Sequence, residues 1–417
     1  MSKKKLFMAI GPLMVAICLV IVLLFSPFKW TSRPSEKAIH QSASSMSINV
    51  IKGNSLKNTA MGTGKYLPFF GSSELSRINA LHPSVLAQKY QRDYEPFLLG
   101  APGTQSLAQF LMIQSMGKEL TNKQVVFIIS PQWFVKEGVS DAMFSLYYSP
   151  LQTYQWVLTH KEDSEASRYT AQRLLDFSSV KSDTLLNKVL QKMADGEELS
   201  STDIKGATFQ HNLFSQEDHL FSKFAVRSKQ KRIDKAEKQL PNVYNDEQLD
   251  QLAVQLGSKN TSNNPYQISN KFYDTRIAPV ESSLENSQKK FNYLNSPEYA
   301  DFQLVLNQMA KENIKPLFVI PPVNKKWSDY TGVSQEMLKD FSIKIKQQLT
   351  SQGFKTIADY TDQNDVDYFM EDTIHLGWRG WLALDEDLQA FLKTNPSVHY
   401  EIDNDRYLTT DWQEYHP

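Results

Sequence analysis

Two short stretches near opposite ends of the chain contain the residue types of nucleophilic catalysis. The first is Gly71-Ser72-Ser73-Glu74, which directly follows an aromatic run from Tyr66 to Phe70. The second is Asp372-Thr373-Ile374-His375. A serine hydroxyl is a weak nucleophile unless a base takes its proton, and an imidazole held by a carboxylate is a suitable base. The two stretches therefore predict serine chemistry, provided that the fold brings them together.

Each stretch also has a purely structural interpretation. Ser72 and Ser73 are suitable caps for a helix that begins near Glu74, and a loop histidine can simply bond to the backbone. His375 is favoured as a base because, of the eight histidines, it alone combines an acid three residues earlier, a glycine shortly after it and a position beyond a predicted strand. We therefore expect His375 to be the base and Asp372 to orient its ring, with Ser72 or Ser73 as the nucleophile.

Acyl transfer also needs N–H donors that face the developing oxyanion. The backbone N–H of the nucleophile and that of Gly103 are candidates, with the side chain of Gln132 as a third donor. Gly103 is equally well explained as a turn glycine. Trp378 and Arg379 follow the histidine closely and are candidates to line the site. Their alternative is structural, with the tryptophan packed in the core and the arginine paired with an acid.

Five apolar runs have the length and composition of strands and alternate with helical periodicity. They are residues 66–70, 96–99, 125–129, 317–320 and 355–358. Each is followed by one of the polar motifs named above or by Pro321-Pro-Val-Asn324. Because the carboxyl ends of parallel strands meet at one edge of a sheet, these motifs are expected to converge there. The sequence predicts an α/β fold of three layers, α/β/α, around a five-stranded parallel sheet.

The strand and helix alternation stops in the middle of the chain, which divides it into segments. We expect a catalytic domain in residues 61–134 and 296–417, interrupted by a mostly helical insertion in residues 135–295. Residues 31–60 are polar and are predicted to be a stalk. Residues 1–30 are predicted to contain a cytoplasmic amino terminus and a transmembrane helix.

The anchor prediction depends on an uncharged run at residues 6–25. Twenty helical residues span the roughly 30 Å of a bilayer core, and Lys3, Lys4 and Lys5 place the amino terminus in the cytoplasm. The body of the protein would then be extracellular. A cleaved signal peptide is the alternative, but the run is longer than a signal core and no small-x-small site ends it.

Composition excludes several classes of function. The chain has 417 residues with 45 basic and 46 acidic side chains, and a nucleic-acid-binding protein would be more basic. A single cysteine, Cys18, permits no internal disulfide. No cluster has zinc-ligand spacing, and no nucleotide-binding loop is present, so neither metal nor cofactor is expected. One dense basic run contains Arg227, Lys229, Lys231, Arg232 and Lys235, and a solvated helix face is favoured over a site for a phosphate polymer.

The order of the motifs resembles the SGNH/GDSL hydrolase family, which has strand-Gly-x-Ser first, a glycine second and Asp-x-x-His last. The resemblance places Ser73 at the position of the nucleophile, with Asp372 and His375 completing the triad, and implies a flavodoxin-like sheet. The chain departs from the family twice. Ser72 stands in place of an aspartate, and Ser130-Pro-Gln-Trp-Phe134 stands where the family has its oxyanion asparagine.

A more specific resemblance explains both departures. The motifs Phe69-Phe-Gly-Ser-Ser-Glu-Leu75, Ser130-Pro-Gln-Trp-Phe134, Ile320-Pro-Pro-Val-Asn324 and Asp372-Thr-Ile-His-Leu-Gly-Trp378 are similar to those of the DltD family of teichoic-acid D-alanylation proteins. This implies an extracellular serine acyltransferase on a Gram-positive cell membrane. Its implied partners are lipoteichoic acid, the membrane acyltransferase DltB, the peptide DltX and the carrier DltC. The D-alanyl esters would lower the negative charge of the polymer and so blunt cationic antimicrobial peptides.

Two other functions remain open for the same residues. One is an esterase that removes D-alanyl or acetyl groups. The other is a non-catalytic scaffold that docks the carrier protein or the teichoic acid, and it also permits the opposite topology because the carrier is cytoplasmic. A scaffold would tolerate substitution of the triad, whereas either enzyme would not.

Overall fold

The computed structural model describes residues 8, 10–18, 22, 33–160, 163–394 and 397–417. Nine of the twenty residues of the predicted membrane anchor, residues 6–25, lie outside these described residues. Among the helices of the described part, none combines the length and the apolar character needed to cross a bilayer.

A five-stranded parallel sheet forms the centre of the fold, as predicted. Its strands are β1 (Tyr66–Phe70), β2 (Glu95–Leu99), β3 (Gln124–Ile128), β4 (Lys315–Ile320) and β5 (Ile357–Asp359). They lie in the order β2-β1-β3-β4-β5, so the chain moves outward from β1 to β2 and then returns past β1 to β3. In a doubly wound sheet of this order, a crevice opens beyond the carboxyl ends of β1 and β3. The Gly-Ser-Ser turn directly follows β1 and therefore lies at this crevice.

The central strands are buried on both faces. Every residue of β1 and β4 is buried, as is all of β3 after Gln124. Continuous apolar runs of this kind suit a parallel sheet that helices cover on both sides. Phe70, the last residue of β1, pairs with Leu99 on one side and with Phe127 on the other. The three strands therefore end nearly level, and the loops that follow them are neighbours.

The helices before β3 are α1 (Glu36–Ala43), α2 (Ile48–Lys52), α3 (Ser55–Gly62), α4 (Pro83–Lys89) and α5 (Ser106–Met116). Those between β3 and β4 are α6 (Asp141–Tyr147), α7 (Pro150–Thr159), α8 (Glu165–Leu174), α9 (Ser178–Lys181), α10 (Thr184–Ala194), α11 (Ser201–Phe221), α12 (Gln230–Glu237), α13 (Asp246–Asn260), α14 (Asn270–Phe272), α15 (Glu281–Leu284) and α16 (Glu298–Lys311). Those after β4 are α17 (Lys325–Thr331), α18 (Gln335–Thr350), α19 (Trp378–Lys393), α20 (Asn404–Tyr407) and α21 (Thr410–Glu414). Single 3₁₀ turns occupy Ser73–Ser76, Gly117–Leu120, Pro131–Trp133 and Thr361–Gln363, and Tyr273–Ile277 is a π-helical turn.

Helices cover both faces of the sheet and complete the three layers. Parallel crossovers are right-handed, so α4, on the way out to β2, and α5, on the way back to β3, lie on opposite faces. On the α5 face, α5 packs along α16, and Gln348 of α18 donates to the carbonyl of Tyr299 in α16 at 3.0 Å. On the α4 face, His82 meets Trp381 of α19 edge-on, with ring centroids 4.8 Å apart.

The middle of the chain is helical, as predicted, and packs directly on the sheet domain. None of its described residues, 135–160 and 163–295, forms a strand. Its Trp156 and Leu186 belong to the same buried cluster as Phe127 of β3. A second, small cluster joins Tyr266 of this segment to Trp327 of α17. The insertion is thus continuous with the core rather than folded around a core of its own.

Residues 33–60 differ from the predicted polar stalk. They form α1, α2 and most of α3, and Ile39, Val50 and Leu56 are buried in the main core. The serines that suggested a stalk act as helix caps or bond inward. Ser35 caps α1 by accepting from the N–H of Ala38, and the buried Ser42 hydroxyl donates to the carbonyl of Ile39 at 2.7 Å.

Candidate active site

The turn after β1 depends on two glycines that touch. A Cβ on Gly100, just beyond β2, would lie 2.0 Å from the carbonyl oxygen of Gly71. A Cβ on Gly71 would lie 2.3 Å from Oε1 of Glu74. The Gly71 carbonyl also accepts from Nε2 of Gln109 at 2.7 Å. The absence of side chains therefore lets the two strand ends and the following turn pack together.

The turn itself presents Ser73 at the carboxyl edge of the sheet. Ser73 begins the 3₁₀ turn Ser73–Ser76 and is half-buried. The hydroxyl of Ser76 donates to the Ser73 carbonyl at 2.6 Å. The buried carboxyl of Glu74 accepts from the Ser72 N–H at 2.5 Å, and its burial raises the pKa of Glu74. These bonds hold the backbone on both sides of Ser73.

The second motif is a loop that returns on itself before α19. The N–H of Glu371 donates to the carbonyl of His375 at 2.8 Å, and Gly377 donates to Phe369 at 2.6 Å. Two other loops hold it from outside. The Asn324 N–H, after β4, donates to Thr373 at 3.0 Å, and the Ser269 N–H, from the insertion, donates to Glu371 at 2.8 Å. The loop is thus held by its own turn, by the sheet edge and by the insertion.

The fold brings the serine, the histidine and the aspartate into one line. Ser73 Oγ lies 2.7 Å from Nε2 of His375. Nδ1 of His375 lies 2.8 Å from both carboxylate oxygens of Asp372. The Asp372 Oδ1 atom also accepts the backbone N–H groups of Ile374 and His375 at 3.1 Å. A histidine placed between a serine hydroxyl and a buried carboxylate can act as general base and then as general acid.

Arg77 is a further charged group at this site. Its Nη2 lies 2.9 Å from Oδ2 of Asp372, which is fully buried. Burial alone would raise the pKa of Asp372, but the neighbouring His375 and Arg77 outweigh it and the net shift is downward. The guanidinium also lies 5.7 Å from the ring centroid of Phe272 in the insertion. Arg77 therefore acts together with His375 to favour the charged form of the aspartate, and it links the aspartate to the insertion.

The expected oxyanion donors are only partly free in this arrangement. The Gly103 N–H donates to Oγ of Ser72 at 3.2 Å, and that hydroxyl donates to the carbonyl of Ala101 at 3.3 Å. Gln132 lies in the 3₁₀ turn after β3, next to the strand that carries Ser73, and its Oε1 is buried without a hydrogen-bond partner among the described residues. Ser72, buried with its hydroxyl held in this way, faces the Gly103 loop, whereas Ser73 faces the histidine.

Trp378 and Arg379 occupy the structural positions considered as their alternative. Trp378 is buried at the start of α19. Arg379 Nε donates to Oδ1 of Asp250 in α13 at 2.7 Å, and both side chains are partly exposed. Neither residue forms a hydrogen bond to the triad in the described contacts.

Sequence reasoning missed four residues that support the triad: Glu74, Arg77, Asn324 and Phe272. For Arg77 a signal existed, because a residue four positions after the nucleophile lies in the same turn. Asn324 was recognised only as part of an exit loop, although an asparagine directly before a helix is a typical cap. Nothing in the local pattern indicates that Phe272 approaches the site, since this contact depends on how the insertion folds back.

The sequence is similar to proteins of one known family. A family model described as DltD protein matches residues 43–393. The chain is 45% identical to a Protein DltD of Lacticaseibacillus rhamnosus over 99% of this chain and 97% of that protein. It is 32% identical to the Protein DltD of Bacillus subtilis strain 168 over 94% of this chain and 98% of that one, and 29% identical to that of Staphylococcus aureus over 92% and 96%. The chain therefore belongs to the DltD family.

Proposed function

We propose that this chain is a serine acyltransferase of teichoic-acid D-alanylation, with Ser73 as the residue that carries the acyl group. The observation that supports the proposal most directly is the line of hydrogen-bond distances from Ser73 Oγ to His375, 2.7 Å, and from His375 to Asp372, 2.8 Å. The family supplies the substrate class, a D-alanyl group and lipoteichoic acid. No residue of the proposal needs a metal or a cofactor.

In the first half of the reaction, the Ser73 oxygen forms a bond to the carbonyl carbon of the D-alanyl donor. The proton of the hydroxyl moves to Nε2 of His375, and Asp372 stabilises the imidazolium. His375 then returns this proton to the leaving group as the bond between the carbonyl carbon and the donor breaks. A D-alanyl ester on Ser73 remains.

In the second half, a hydroxyl of the polymer replaces the leaving group. His375 removes the proton of that hydroxyl, whose oxygen attacks the ester carbon. The bond to Ser73 Oγ breaks, and His375 gives the proton back to the serine. Backbone N–H groups of Ser73 and Gly103 are the proposed donors to the oxyanion. For Gly103 to act as an oxyanion donor, its N–H must break its hydrogen bond to Ser72 Oγ and donate to the substrate oxygen instead.

Transfer to a polymer rather than to water requires that water be kept from the ester. The insertion is the proposed barrier, because its Ser269 bonds to the loop that carries the histidine and its Phe272 ring covers Arg77. We place this site on the outer side of a Gram-positive membrane, with residues 6–25 as the anchor. DltB, DltX and DltC are the proposed partners that deliver the D-alanyl group.

The test is Ser73→Ala in a strain that otherwise lacks the protein. We expect the ester-linked D-alanine of the wall to fall to the level of the deletion, at equal protein abundance, because the nucleophile is removed. Ser72→Ala is the matched control and is expected to retain labelling of Ser73 by a fluorophosphonate, which is located by mass spectrometry of the full-length protein.

Three results would point elsewhere. Unchanged D-alanine content in the Ser73 variant would support the scaffold alternative. An esterase would be supported if deletion of the gene raised the ester content of the wall and the purified protein released free acid from esters. Loss of labelling in the Ser72 variant but not in the Ser73 variant would move the nucleophile by one residue.

A further inference from the structure

The basic run of the sequence lies beside the candidate active site. We define the basic segment as residues 223–238, which contain seven cations and two acids: Lys223, Arg227, Lys229, Lys231, Arg232, Lys235 and Lys238, with Asp234 and Glu237. All seven cations except the half-buried Lys229 are exposed. The segment includes α12, which packs on α4.

Arg232 connects the basic segment to the serine turn. Its Nε donates to the carbonyl of Ile78 at 2.8 Å, and its Nη1 donates to the carbonyl of Ser76 at 3.3 Å. Ser76 in turn donates its hydroxyl to the carbonyl of Ser73. The guanidinium therefore lies against the same short turn that presents the nucleophile.

Arg77 lies on this same turn and adds a second guanidinium. One of its nitrogens bonds to Asp372, but its Nε is buried and has no hydrogen-bond partner among the described residues. Burial raises the pKa of Glu371, and the charges of Arg77 and Arg232 both oppose this rise. Positive charge from two separate parts of the chain thus converges beside the triad.

The two acids of the basic segment offset only part of its positive charge, because seven cations outnumber them. The exposed Asp234 and the half-buried Glu237 both accept from the side-chain amide of Gln88 in α4. Among the described residues, no salt bridge engages an exposed cation of the segment. A surface with a net charge of about +5 and mostly exposed cations attracts anions over a range of about 10 Å at moderate salt.

We propose that the basic segment and Arg77 form a binding surface for consecutive phosphodiesters of the acceptor polymer and hold a polyol hydroxyl near Ser73. This inference rests on the proposed function for the identity of the acceptor, and it replaces the solvated helix face predicted from the sequence. A polyol-phosphate chain carries one negative charge in each repeat, and guanidinium and ammonium groups bind phosphate through charge-assisted hydrogen bonds. Arg232 and Arg77 lie against the serine turn, and this position favours binding of a substrate of the active site over binding of a ligand at a distant surface.

The experiment measures binding of a synthetic glycerol-phosphate oligomer to the full-length protein in detergent, as a function of salt. The test variant is R227Q/K231Q/K235Q, which removes three exposed charges and leaves Arg232 in place. The matched control is K118Q/K205Q/K290Q, which removes three exposed charges elsewhere. For flexible polyanions each phosphate contact adds about 0.7 to the slope of log affinity against log salt. We expect the test variant to lose about 2 from this slope and roughly tenfold or more in affinity at 50 mM salt, and the control to lose little.

Several outcomes would overturn the proposal. Equal loss in the two triple variants would mean that only net charge matters, and no loss in either would mean that the oligomer binds elsewhere. If the test variant still binds the oligomer but no longer binds vesicles of anionic phospholipid, the segment is a membrane contact. The exposed Phe224 within it and Phe221 just before it would then belong to that contact. Failure of the fluorophosphonate to label Ser73 in a protein that still binds the oligomer through this segment would reject the proposed chemistry but not the binding surface.

Discussion

Gly71→Ala is expected to disturb the serine turn far more than the addition of one methyl group suggests. The new Cβ would lie 2.3 Å from Oε1 of Glu74 and 3.2 Å from Cγ of Leu75. The carboxyl oxygen would have to move by roughly 1 Å to reach the 3.4 Å at which ordinary contact begins. It cannot move freely, because the Glu74 carboxyl is buried and accepts the N–H of Ser72.

The magnitude follows from that hydrogen bond and from the position of the nucleophile. Loss of a hydrogen bond to a charged group costs about 1.5–3 kcal/mol. A displacement of about 1 Å at a reacting group can slow a reaction about 100-fold. We expect the free energy of unfolding of the variant to fall by about 2 kcal/mol and the labelling of Ser73 by a fluorophosphonate to slow about 10- to 100-fold.

The assay combines equilibrium denaturation with the rate of labelling. Gly62→Ala is the control, because its Cβ would meet only the end of the Glu119 side chain, at 3.0 Å, which can move away. In a Glu74→Ala background the Gly71 substitution should cost little, since the clashing carboxyl is gone. The reasoning is refuted if Gly71→Ala behaves like Gly62→Ala, or if it costs as much without the carboxyl as with it.

Two further predictions concern charged groups around the site. Arg77→Met should destabilise the protein by about 1–3 kcal/mol and raise the pKa of Asp372. The lowered pKa of Asp372 stabilises the native state while the carboxyl is charged, and this contribution is lost as the pH falls and the carboxyl takes up a proton. Acid unfolding should therefore begin at higher pH in Arg77→Met, but not in Arg77→Lys, which keeps the positive charge. An unchanged midpoint of acid unfolding in the methionine variant would contradict the role of the ion pair. His82 is buried, and burial together with Arg232 and Lys229 lowers its pKa to about 3. Between pH 6.5 and pH 3 the histidine of the unfolded chain takes up a proton, whereas the native ring stays neutral. The free energy of unfolding should therefore keep its full value above pH 6.5 and fall by up to about 4 kcal/mol toward pH 3. His82→Asn, which keeps an acceptor for the Ser84 N–H, should show a shallower fall in denaturation measured from pH 7 to pH 4; equal slopes would show that the ring does not titrate in this way.

The parallel sheet could be predicted because its signal is local. Continuous apolar runs with turn residues at their ends identify buried parallel strands whatever lies between them. All five strands are found within two residues of their predicted bounds. The convergence of the serine turn and the Asp-x-x-His loop followed from the same fact, since strands that are all parallel place their carboxyl ends together.

The stalk prediction failed because composition does not distinguish a serine in a linker from a serine at a helix end. Ser35 and Ser42 satisfy backbone groups in and around α1, and the apolar residues between such serines are few but buried. The decisive information is which surface these short helices cover. That surface is formed by residues distant in sequence.

By itself, then, the sequence determined the strands and the helical middle segment. It also determined the residue types and the spacing of the serine, histidine and aspartate of the candidate triad. Only the tertiary structure decided which serine faces the histidine, that Gly103 donates to Ser72, that Arg379 pairs with Asp250, and that Arg232 lies against the serine turn. The reason is physical. Secondary structure and capping depend on neighbours a few residues away, whereas the direction of a hydroxyl, the partner of a guanidinium and the field around a carboxylate depend on atoms that the chain brings close only when it folds.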